Sequence, residues 1–325
     1  MHKLLLILVL PSLLCAGMNI TPPMTETRLD YTPWFTGTLL APTAINMKKG
    51  HPGIELFVTA FNFYAKYDSN WKLDDVADVW SISPGGDFQM AFTENTGIEV
   101  LASTITNFQQ GRSSTHFEDT SVLLGYQISN DQPKSWIPDC RLTFNTIFPT
   151  GNHDDLDPTL NGIDSSGQGA YFFGPALACQ KLFHLKHNYF VLHWSLGYLI
   201  PLRANIKGLS VYGGAPDTKG SLIPGQTLIA FLSGEYTFTQ NWVFQFDTQY
   251  LFQFASHDFE GRRGTTSDGN LAQVGLPNSF QLGVTLGLEY NFSNLSGILF
   301  GTWFTLAGFN SQAFAAGFLG YVYIF

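Results

Sequence analysis

Charged and amide side chains recur at every second position in several short segments of this sequence. Ser233 and Glu235 lie two residues apart in one segment, and Gln245 and Asp247 repeat that spacing in the next one. Side chains at positions i and i+2 of a β-strand lie on the same side of the strand. Groups on such a face can form hydrogen bonds and ion pairs with one another, so the pattern predicts a polar surface built from several strands.

The charged members of this surface are the candidate functional residues. They are Asp139, Arg141, His193, Glu235, Asp247 and Glu289. An unpaired charge is costly in a narrow, poorly hydrated space, so we expect these residues to form a hydrogen-bonded and partly ion-paired lining. We expect no catalytic residue, no metal site and no cofactor among them.

Long strands must position these residues, and the clearest strand pattern covers residues 279–292. Apolar residues occupy every even position from Phe280 to Phe292, and polar residues or glycine occupy the odd positions between them. Residues 242–254 repeat the design with aromatic residues at most even positions. A tilted strand of about ten residues crosses a bilayer, and an apolar face opposite a polar face is typical of a transmembrane β-barrel.

Candidate strands follow one another from residue 54 to the end of the sequence. They lie near 54–67, 86–94, 97–108, 117–128, 139–148, 170–183, 189–201, 227–238, 242–254, 279–292, 297–307 and 313–325. Short connections lie at about 184–188, 239–241 and 293–296, and long ones at 149–169, 203–226 and 255–278. Alternating periplasmic turns and outer loops are typical of a barrel with an even number of strands.

The composition favours a membrane-embedded all-β protein. Charged residues make up 13% of the chain, whereas an average soluble domain carries about a quarter. After the N-terminus, no run of about 20 apolar residues could form a transmembrane helix. The formal net charge of −9 argues against a nucleic-acid partner, which would need a basic surface. The predicted fold is therefore all-β, a transmembrane antiparallel β-barrel of about 12 strands.

Both ends of the sequence carry features of export to the bacterial outer membrane. Residues 1–17 are typical of a secretory signal peptide, with Lys3 before an apolar core and small residues at the cleavage position. A lipoprotein signal with Cys15 is the alternative, but Leu14 is bulky where such signals carry a small residue. The last strand ends on Phe325, which resembles the signature that barrel-insertion machinery recognises. We therefore expect outer-membrane lipid and this machinery as partners.

Residues 18–52 show no lasting period. Three arrangements fit this N-terminal segment: a plug inside the barrel, an extra strand, or a periplasmic arm. The barrel itself is predicted to cover residues 53–325.

Cys140 and Cys179 are the two cysteines that remain after the signal peptide. They are about equally far from the middle of the 149–169 loop, so they could face each other across a hairpin. A cross-strand disulfide fits this placement, although two buried thiols are the favoured interpretation.

His193 and Ser195 have a spacing that resembles the outer-membrane phospholipases, which are barrels with such a pair on the lipid-facing side. Here Trp194 between them occupies the apolar face, which turns His193 and Ser195 inward. Residues 196–198 read Leu-Gly-Tyr where those enzymes continue with Asn-Gly-Arg. A phospholipase is therefore only a minor alternative, and we expect the protein not to be an enzyme.

Residues 148–151 read Phe-Pro-Thr-Gly at the end of a strand. A Gly-rich loop follows, then Gly-Gln-Gly at 167–169 and an aromatic strand with Gly174 and Pro175. This pattern resembles the outer-membrane proteins named for the meta-cleavage pathway of phenol degradation, over residues 140–325. The resemblance implies a twelve-stranded, transporter-like barrel for hydrophobic or aromatic solutes, related in architecture to the long-chain fatty-acid channels. The Asn-Pro-Ala start of those channels is absent, and no site residue carries over.

These observations predict a channel or transporter that passively passes small solutes, including hydrophobic or aromatic ones. The polar lining would select solutes by charge and hydrogen bonding, and the outer loops would control access. The alternative is a structural or adhesive outer-membrane barrel that acts through those loops and packs its lining as a polar core. The channel is favoured because a barrel of this width is hard to fill with side chains alone. The oligomeric state stays open.

Overall fold

The structure is a computed structural model that describes residues 31–132 and 135–325. The signal peptide predicted at 1–17 and the first part of the 18–52 segment lie outside the described residues. The strands are β1 (Gly53–Tyr67), β2 (Leu73–Ala91), β3 (Thr96–Gln109), β4 (Arg112–Phe117), β5 (Thr120–Ser129), β6 (Asp139–Phe148), β7 (Phe172–His184), β8 (Tyr189–Pro201), β9 (Ala204–Lys207), β10 (Lys219–Ile223), β11 (Thr227–Thr237), β12 (Trp242–Gln253), β13 (His257–Arg262), β14 (Ser279–Ser293), β15 (Ser296–Phe309) and β16 (Ser311–Ile324). Within the described residues, no helix is long and apolar enough to cross a membrane.

Most of these strands form one closed antiparallel ring. The order around it is β1, β2, β3, β5, β6, β7, β8, β11, β12, β14, β15 and β16, and β16 pairs with β1 to close the ring. β4 pairs with the outer part of β3 and leads into β5, so β4 and β5 form a single interrupted strand. The prediction of an all-β barrel of about 12 strands is confirmed.

The alternation along β14 separates the two sides of the barrel. Leu286 and Phe292 point outward and are 45% and 54% exposed, whereas Thr285 and Glu289 point inward and are 1% and 0% exposed. Neighbouring strands show the same contrast, so apolar side chains that no described element covers surround the barrel. A belt of this kind would be unfavourable in water, and the hydrocarbon core of a bilayer is the solvent that suits it.

The early strands differ from their predicted boundaries. The strand expected at 86–94 runs over Leu73–Ala91, and the one expected at 117–128 is divided into β4 and β5. Pro84 lies in the middle of β2 and lacks the backbone N–H of a ladder bond, and the pairing of β2 with β3 is interrupted beside it. Such an interruption hides a long strand from a search for strict alternation.

Parts of the long outer connections fold into a second, smaller sheet. Segments 203–226 and 255–278 were expected as loops, but they contain β9, β10 and β13, which pair in the order β13-β10-β9. We call this sheet, together with the 149–169 loop, the outer cap. A buried apolar cluster lies between the cap and the end of β7. Its residues are Ala170, Phe172, Ala204, Ile206, Tyr212 and Leu222.

Cys140 on β6 and Cys179 on β7 form a disulfide, with their Cα atoms 4.2 Å apart. The two residues are direct partners in the strand register. The expectation of two buried thiols was therefore wrong. Spacing along the chain allowed either outcome, and the register that brings the two side chains together is a property of the paired strands.

Candidate functional site

The inward faces of β8, β11, β12 and β14 form a continuous polar surface, which we call the polar wall. Its rows follow the strand register: His193 lies beside Ser233, Ser233 beside Asp247, and Asp247 beside Thr285. These strands pair without a gap along this row, so residues far apart in the sequence become neighbours around the ring. Four of the predicted lining residues belong to this wall. They are His193, Glu235, Asp247 and Glu289.

Hydrogen bonds connect the two glutamates of the polar wall through Gln245. His193 Nε2 lies 2.7 Å from Glu235 Oε2, and Gln245 Nε2 lies 3.5 Å from Glu235 Oε1. Gln245 Nε2 also donates to Glu289 Oε2 at 2.7 Å, and Asn291 Nδ2 donates to the same carboxylate. Both carboxylates are buried, and a buried carboxylate needs partners of this kind because its desolvation is costly.

Asp247 is fully buried one row further toward the outer end. The Thr285 hydroxyl donates to Asp247 Oδ2 at 2.5 Å and lies 3.1 Å from the backbone nitrogen of Asp247. Asp247 Oδ1 is also buried and has no hydrogen-bond partner among the described residues. Because Asp247 faces the lumen but has no exposed surface, another part of the chain must cover it from inside the barrel.

Residues 31–52 form no strand. Hydrogen bonds hold residues 31–47 of this stretch inside the barrel against the polar wall and the strands opposite, and we call residues 31–47 the inner segment. The backbone N–H of Thr36 donates to Glu289 Oε1 at 2.8 Å. Gln245 Nε2 donates to the carbonyl of Gly37 at 2.5 Å. The buried acid and amide of the wall thus bind the backbone of the inner segment, in addition to each other.

Glycines on the barrel strands make room for the side chains of the inner segment. A Cβ added to Gly287 would approach Leu39 Cδ1 to 2.5 Å, and one added to Gly301 would approach the same atom to 2.7 Å. At Gly297, an added Cβ would come within 3.0 Å of Thr36 Cγ2. Any larger residue at Gly287 would therefore displace Leu39.

The inner segment is bound a second time on the other side of the barrel. Gln127 Nε2 donates to the carbonyl of Ala44 at 2.9 Å, and Gln127 Oε1 accepts from the backbone N–H of Asn46 at 2.9 Å. Gln127 lies on β5, which is opposite β14 in the ring. The inner segment therefore crosses the interior from the polar wall to the facing strands.

A second set of carboxylates faces the interior from β1, β2 and β3; we call Glu55, Asp87 and Glu99 the acidic group. Glu55 and Asp87 are direct partners in the register. Arg141 on β6 donates through Nη1 to Glu99 Oε2 at 3.0 Å. The guanidinium group lies over Gly125, where a side chain would collide with it. Arg141 thus compensates one member of the acidic group directly.

The six predicted lining residues do not form a single site. His193, Glu235 and Glu289 are linked in the polar wall. Arg141 lies on the other side of the ring, where it binds Glu99 of the acidic group. Asp139 lies apart from both, at the periplasmic end of β6, where Asp139 Oδ1 accepts from the backbone N–H of Asp131 at 2.7 Å.

The inward faces of β1, β15 and β16 carry a group of aromatic residues, and we call this surface the aromatic wall. Its residues are Phe57, Phe61, Phe63, Trp303, Phe314 and Phe318. The ring centroids of Phe61 and Trp303 are 5.6 Å apart, and those of Trp303 and Phe314 are 4.8 Å apart, both in edge-on contact. The polar lining predicted from other strands therefore does not extend to these three strands.

Sequence reasoning missed the aromatic wall and the acidic group for the same reason. On β1, outward Leu56 and Val58 are as apolar as inward Phe57 and Phe61, so no period-two contrast marks the inward face. The available signal was the charged residue Glu55 two positions before Phe57. That signal becomes informative only when the pairing with β16 fixes which face points inward.

The outer cap lies outside the spanning strands, and two of its titratable groups hold its parts together. Burial raises the pKa of the Tyr212 hydroxyl above its ordinary value, and this hydroxyl donates to the carbonyl of Gln168 at 2.5 Å. On the cap surface, Lys207 donates to Asp155 at 2.6 Å, which raises the pKa of the lysine. These contacts join the 149–169 loop to the 203–226 segment.

Solved structures with the same architecture exist. An outer membrane channel from Pseudomonas putida F1 aligns with 88% of this chain and 100% of its own, with a TM-score of 0.62 and 12% sequence identity. The translocator domain of autotransporter NalP from Neisseria meningitidis aligns with 87% of this chain and 91% of its own, with a TM-score of 0.46 and 12% identity. At such identities the first likeness establishes the fold alone. No protein-family model matches the sequence, and no curated protein matches it.

The closed ring, its apolar exterior and its charged interior together define a class. The fold is that of the transmembrane β-barrels of the bacterial outer membrane, which is the bilayer in which barrels of this class lie.

Proposed function

We propose that this protein is a channel through which small solutes pass passively across the outer membrane. The observation that carries this proposal is the interior of the ring, where charged and amide side chains replace a packed apolar core. A ring of this size is too wide for side chains alone to fill. Part of the remaining space is taken by the inner segment, which is bound by hydrogen bonds and by the contact of Leu39 with glycines.

The lumen carries more carboxylates than cationic groups, which favours the passage of cations over anions. The polar wall contributes Glu235, Asp247 and Glu289, and the acidic group adds further negative charge. Within the described residues, the ion pair of Arg141 is with Glu99.

We further propose that the inner segment closes the passage and that its displacement opens it. The segment crosses the interior between opposite strands, and it covers Asp247, which a solute would otherwise reach. It is held to the barrel by hydrogen bonds and by side-chain packing, such as that of Leu39 on Gly287, rather than by strand pairing. Such contacts can be exchanged for water more easily than a β-ladder.

The proposal contains no catalytic step. His193 and Ser195 face the polar wall and not the lipid, and His193 is bound to Glu235. A phospholipase of the outer membrane needs its hydrolytic groups where lipid chains lie. The structure of this strand therefore supports a transport role better than a hydrolytic one.

Two finer assignments belong to the same proposal. Membership in the family named for the meta-cleavage pathway is supported by residues 148–151 at the end of β6 and by Gly174 and Pro175 in β7. Recognition of Phe325 by barrel-insertion machinery is supported by its exposure and by its position beside Pro52, whose carbonyl accepts from the backbone N–H of Phe325 at 2.9 Å.

Reconstitution into planar bilayers tests the channel. We expect discrete conductance steps in KCl with a preference for K⁺ over Cl⁻, and uptake of small solutes into proteoliposomes. Detergent extraction and heat-dependent gel mobility check that the barrel is folded in the same preparation. A folded barrel that passes neither ions nor solutes, both with the inner segment in place and after its removal, would instead favour the structural or adhesive alternative.

A further inference from the structure

The aromatic wall is bordered on both sides by carboxylates. Around the ring, Glu289 on β14 precedes the wall strands β15, β16 and β1, and Asp87 on β2 follows them. Glu55 lies on the wall strand β1 itself, two positions before Phe57. A solute that touches this wall therefore meets an aromatic surface and negative charge together.

Carboxylates and aromatic rings lie closest together at four residues, which we call the acid–aromatic site: Glu55, Phe57, Asp87 and Phe318. The rings of Phe57 and Phe318 are stacked, with centroids 6.0 Å apart and planes 19° apart. Gly320 lets the carboxylate approach the rings. A Cβ added there would lie 2.8 Å from Glu55 Oε1 and 3.0 Å from the Phe318 ring.

The charges of this site are incompletely compensated by the barrel. Glu55 and Asp87 stand directly opposite each other on paired strands, where like charges repel. The guanidinium of Arg141 is bound to Glu99. Asp87 Oδ2 accepts from Gln89 at 2.8 Å, while Asp87 Oδ1 is buried without a partner among the described residues. A cation between Glu55 and Asp87 would relieve this repulsion.

The aromatic rings determine which cation fits. A bare inorganic ion is satisfied by oxygen atoms alone and gains little from a stacked pair of phenyl rings. An ammonium group attached to an apolar body gains from the carboxylates, from the ring faces and from apolar contact. The aromatic wall continues from this site to Phe61 and Trp303 nearer the outer end, so an apolar body finds a matching surface along β1.

We propose that the channel preferentially takes up amphipathic organic cations, with the ammonium group at Glu55 and Asp87 and the apolar part on Phe57 and Phe318. This assignment rests on the channel function proposed above and names its class of solute. It involves binding and passage only, and no bond of the solute is made or broken.

Three probes of similar shape and different charge test the assignment: benzylammonium, benzyl alcohol and benzoate. Each is titrated into the detergent-solubilised full chain by calorimetry, and each is added to single channels in KCl. We expect benzylammonium to bind about tenfold more tightly than benzyl alcohol, as one charged hydrogen-bonded contact would give, and benzoate to bind weakest. Benzylammonium should also interrupt the K⁺ current for longer than either of the other probes.

Variants then locate the site. Glu55→Gln and Asp87→Asn should each weaken benzylammonium binding by about tenfold and leave benzyl alcohol unchanged. Phe57→Leu keeps an apolar side chain but removes the ring, and should weaken benzylammonium binding about threefold or more. The matched controls are Glu94→Gln in an exposed turn and Phe88→Leu on the outward face of β2, and neither should change binding.

Equal binding of the three probes would overturn the inference, as would equal losses in the site variants and their controls. Channels that conduct KCl but do not distinguish the probes would overturn this inference alone and leave the channel function intact. A folded protein that binds benzylammonium at these residues but conducts no ions would instead contradict the channel function.

Discussion

The polar wall and the aromatic wall occupy neighbouring sectors of the same ring but use their inward side chains differently. In the polar wall, Glu289 and Gln245 are fully buried because the inner segment covers them and binds to them. In the aromatic wall, Phe57 and Phe318 are only half-buried and stack on each other. The difference indicates that the first wall holds the inner segment, while the second leaves a surface that a solute can reach.

The largest expected effect comes from removing the inner segment from the polar wall. Deletion of residues 36–46 should raise the single-channel conductance several-fold, because this stretch crosses the interior between β14 and β5. Planar bilayers measure the conductance, and gel mobility before and after heating shows that the barrel remains folded. Replacing the same residues with a Gly-Ser linker of equal length is the control, and it should open the channel as well. An unchanged conductance of a folded deletion variant would show that the segment does not close the passage.

The two walls should also contribute differently to stability. Glu289→Leu leaves the backbone N–H of Thr36 without its acceptor and removes one acceptor each from Gln245 and Asn291, and should lower the free energy of unfolding by about 3 kcal/mol. Phe318→Leu in the aromatic wall should cost only about 1 kcal/mol, since the side chain stays apolar and is half-buried. Urea unfolding in lipid vesicles, followed by tryptophan fluorescence, measures both values.

Glu289→Gln is the matched control for that comparison, because it keeps one acceptor oxygen at nearly the same volume. It should be less destabilising than Glu289→Leu. Equal losses of unfolding free energy for Glu289→Leu and Phe318→Leu would contradict the inference that only the polar wall holds the inner segment.

Ion selectivity should also differ between carboxylates near the aromatic wall and carboxylates in the polar wall. Asp87→Asn removes a carboxylate near the aromatic wall and should lower the K⁺-to-Cl⁻ permeability ratio by up to about fivefold in the complete protein. Asp247→Asn should change this ratio little in the complete protein, because the inner segment covers Asp247, but clearly after deletion of residues 36–46. Reversal potentials in a KCl gradient give the ratios. A strong effect of Asp247→Asn with the segment in place would mean that ions already reach the polar wall.

The smallest expected effect concerns the contact of Leu39 with Gly287 on β14. Gly287→Ala places a methyl group where Leu39 Cδ1 lies, and should weaken the docking of the inner segment by about 1 kcal/mol. Channel recordings should then show brief openings more often than in the unaltered protein. Gly317→Ala on β16 is the control, since an added Cβ there meets no atom within 4 Å. Identical recordings for the two variants would argue against a role for this contact.

Sequence reasoning succeeded where the two faces of a strand differ in chemistry. Along β12 and β14, aromatic or aliphatic residues alternate with amides and acids, and the strands, their length and their inward residues Asp247 and Glu289 could all be predicted. It located β1 but could not mark its inward face, because both faces are apolar, and it missed the extent of β2, where Pro84 interrupts the pattern. It also left three arrangements open for residues 18–52, because a segment that pairs with side chains rather than with a strand has no period.

What the sequence by itself determined is the local geometry: which residues form extended strands, and which of them share a face. That information lies in the two-residue repeat of the β-backbone and needs no partner. Only the tertiary structure decided which strands are neighbours, that Cys140 meets Cys179, and that Glu55 stands opposite Asp87. These contacts depend on register and on closure of the ring, where a shift of one residue would turn every side chain to the other face.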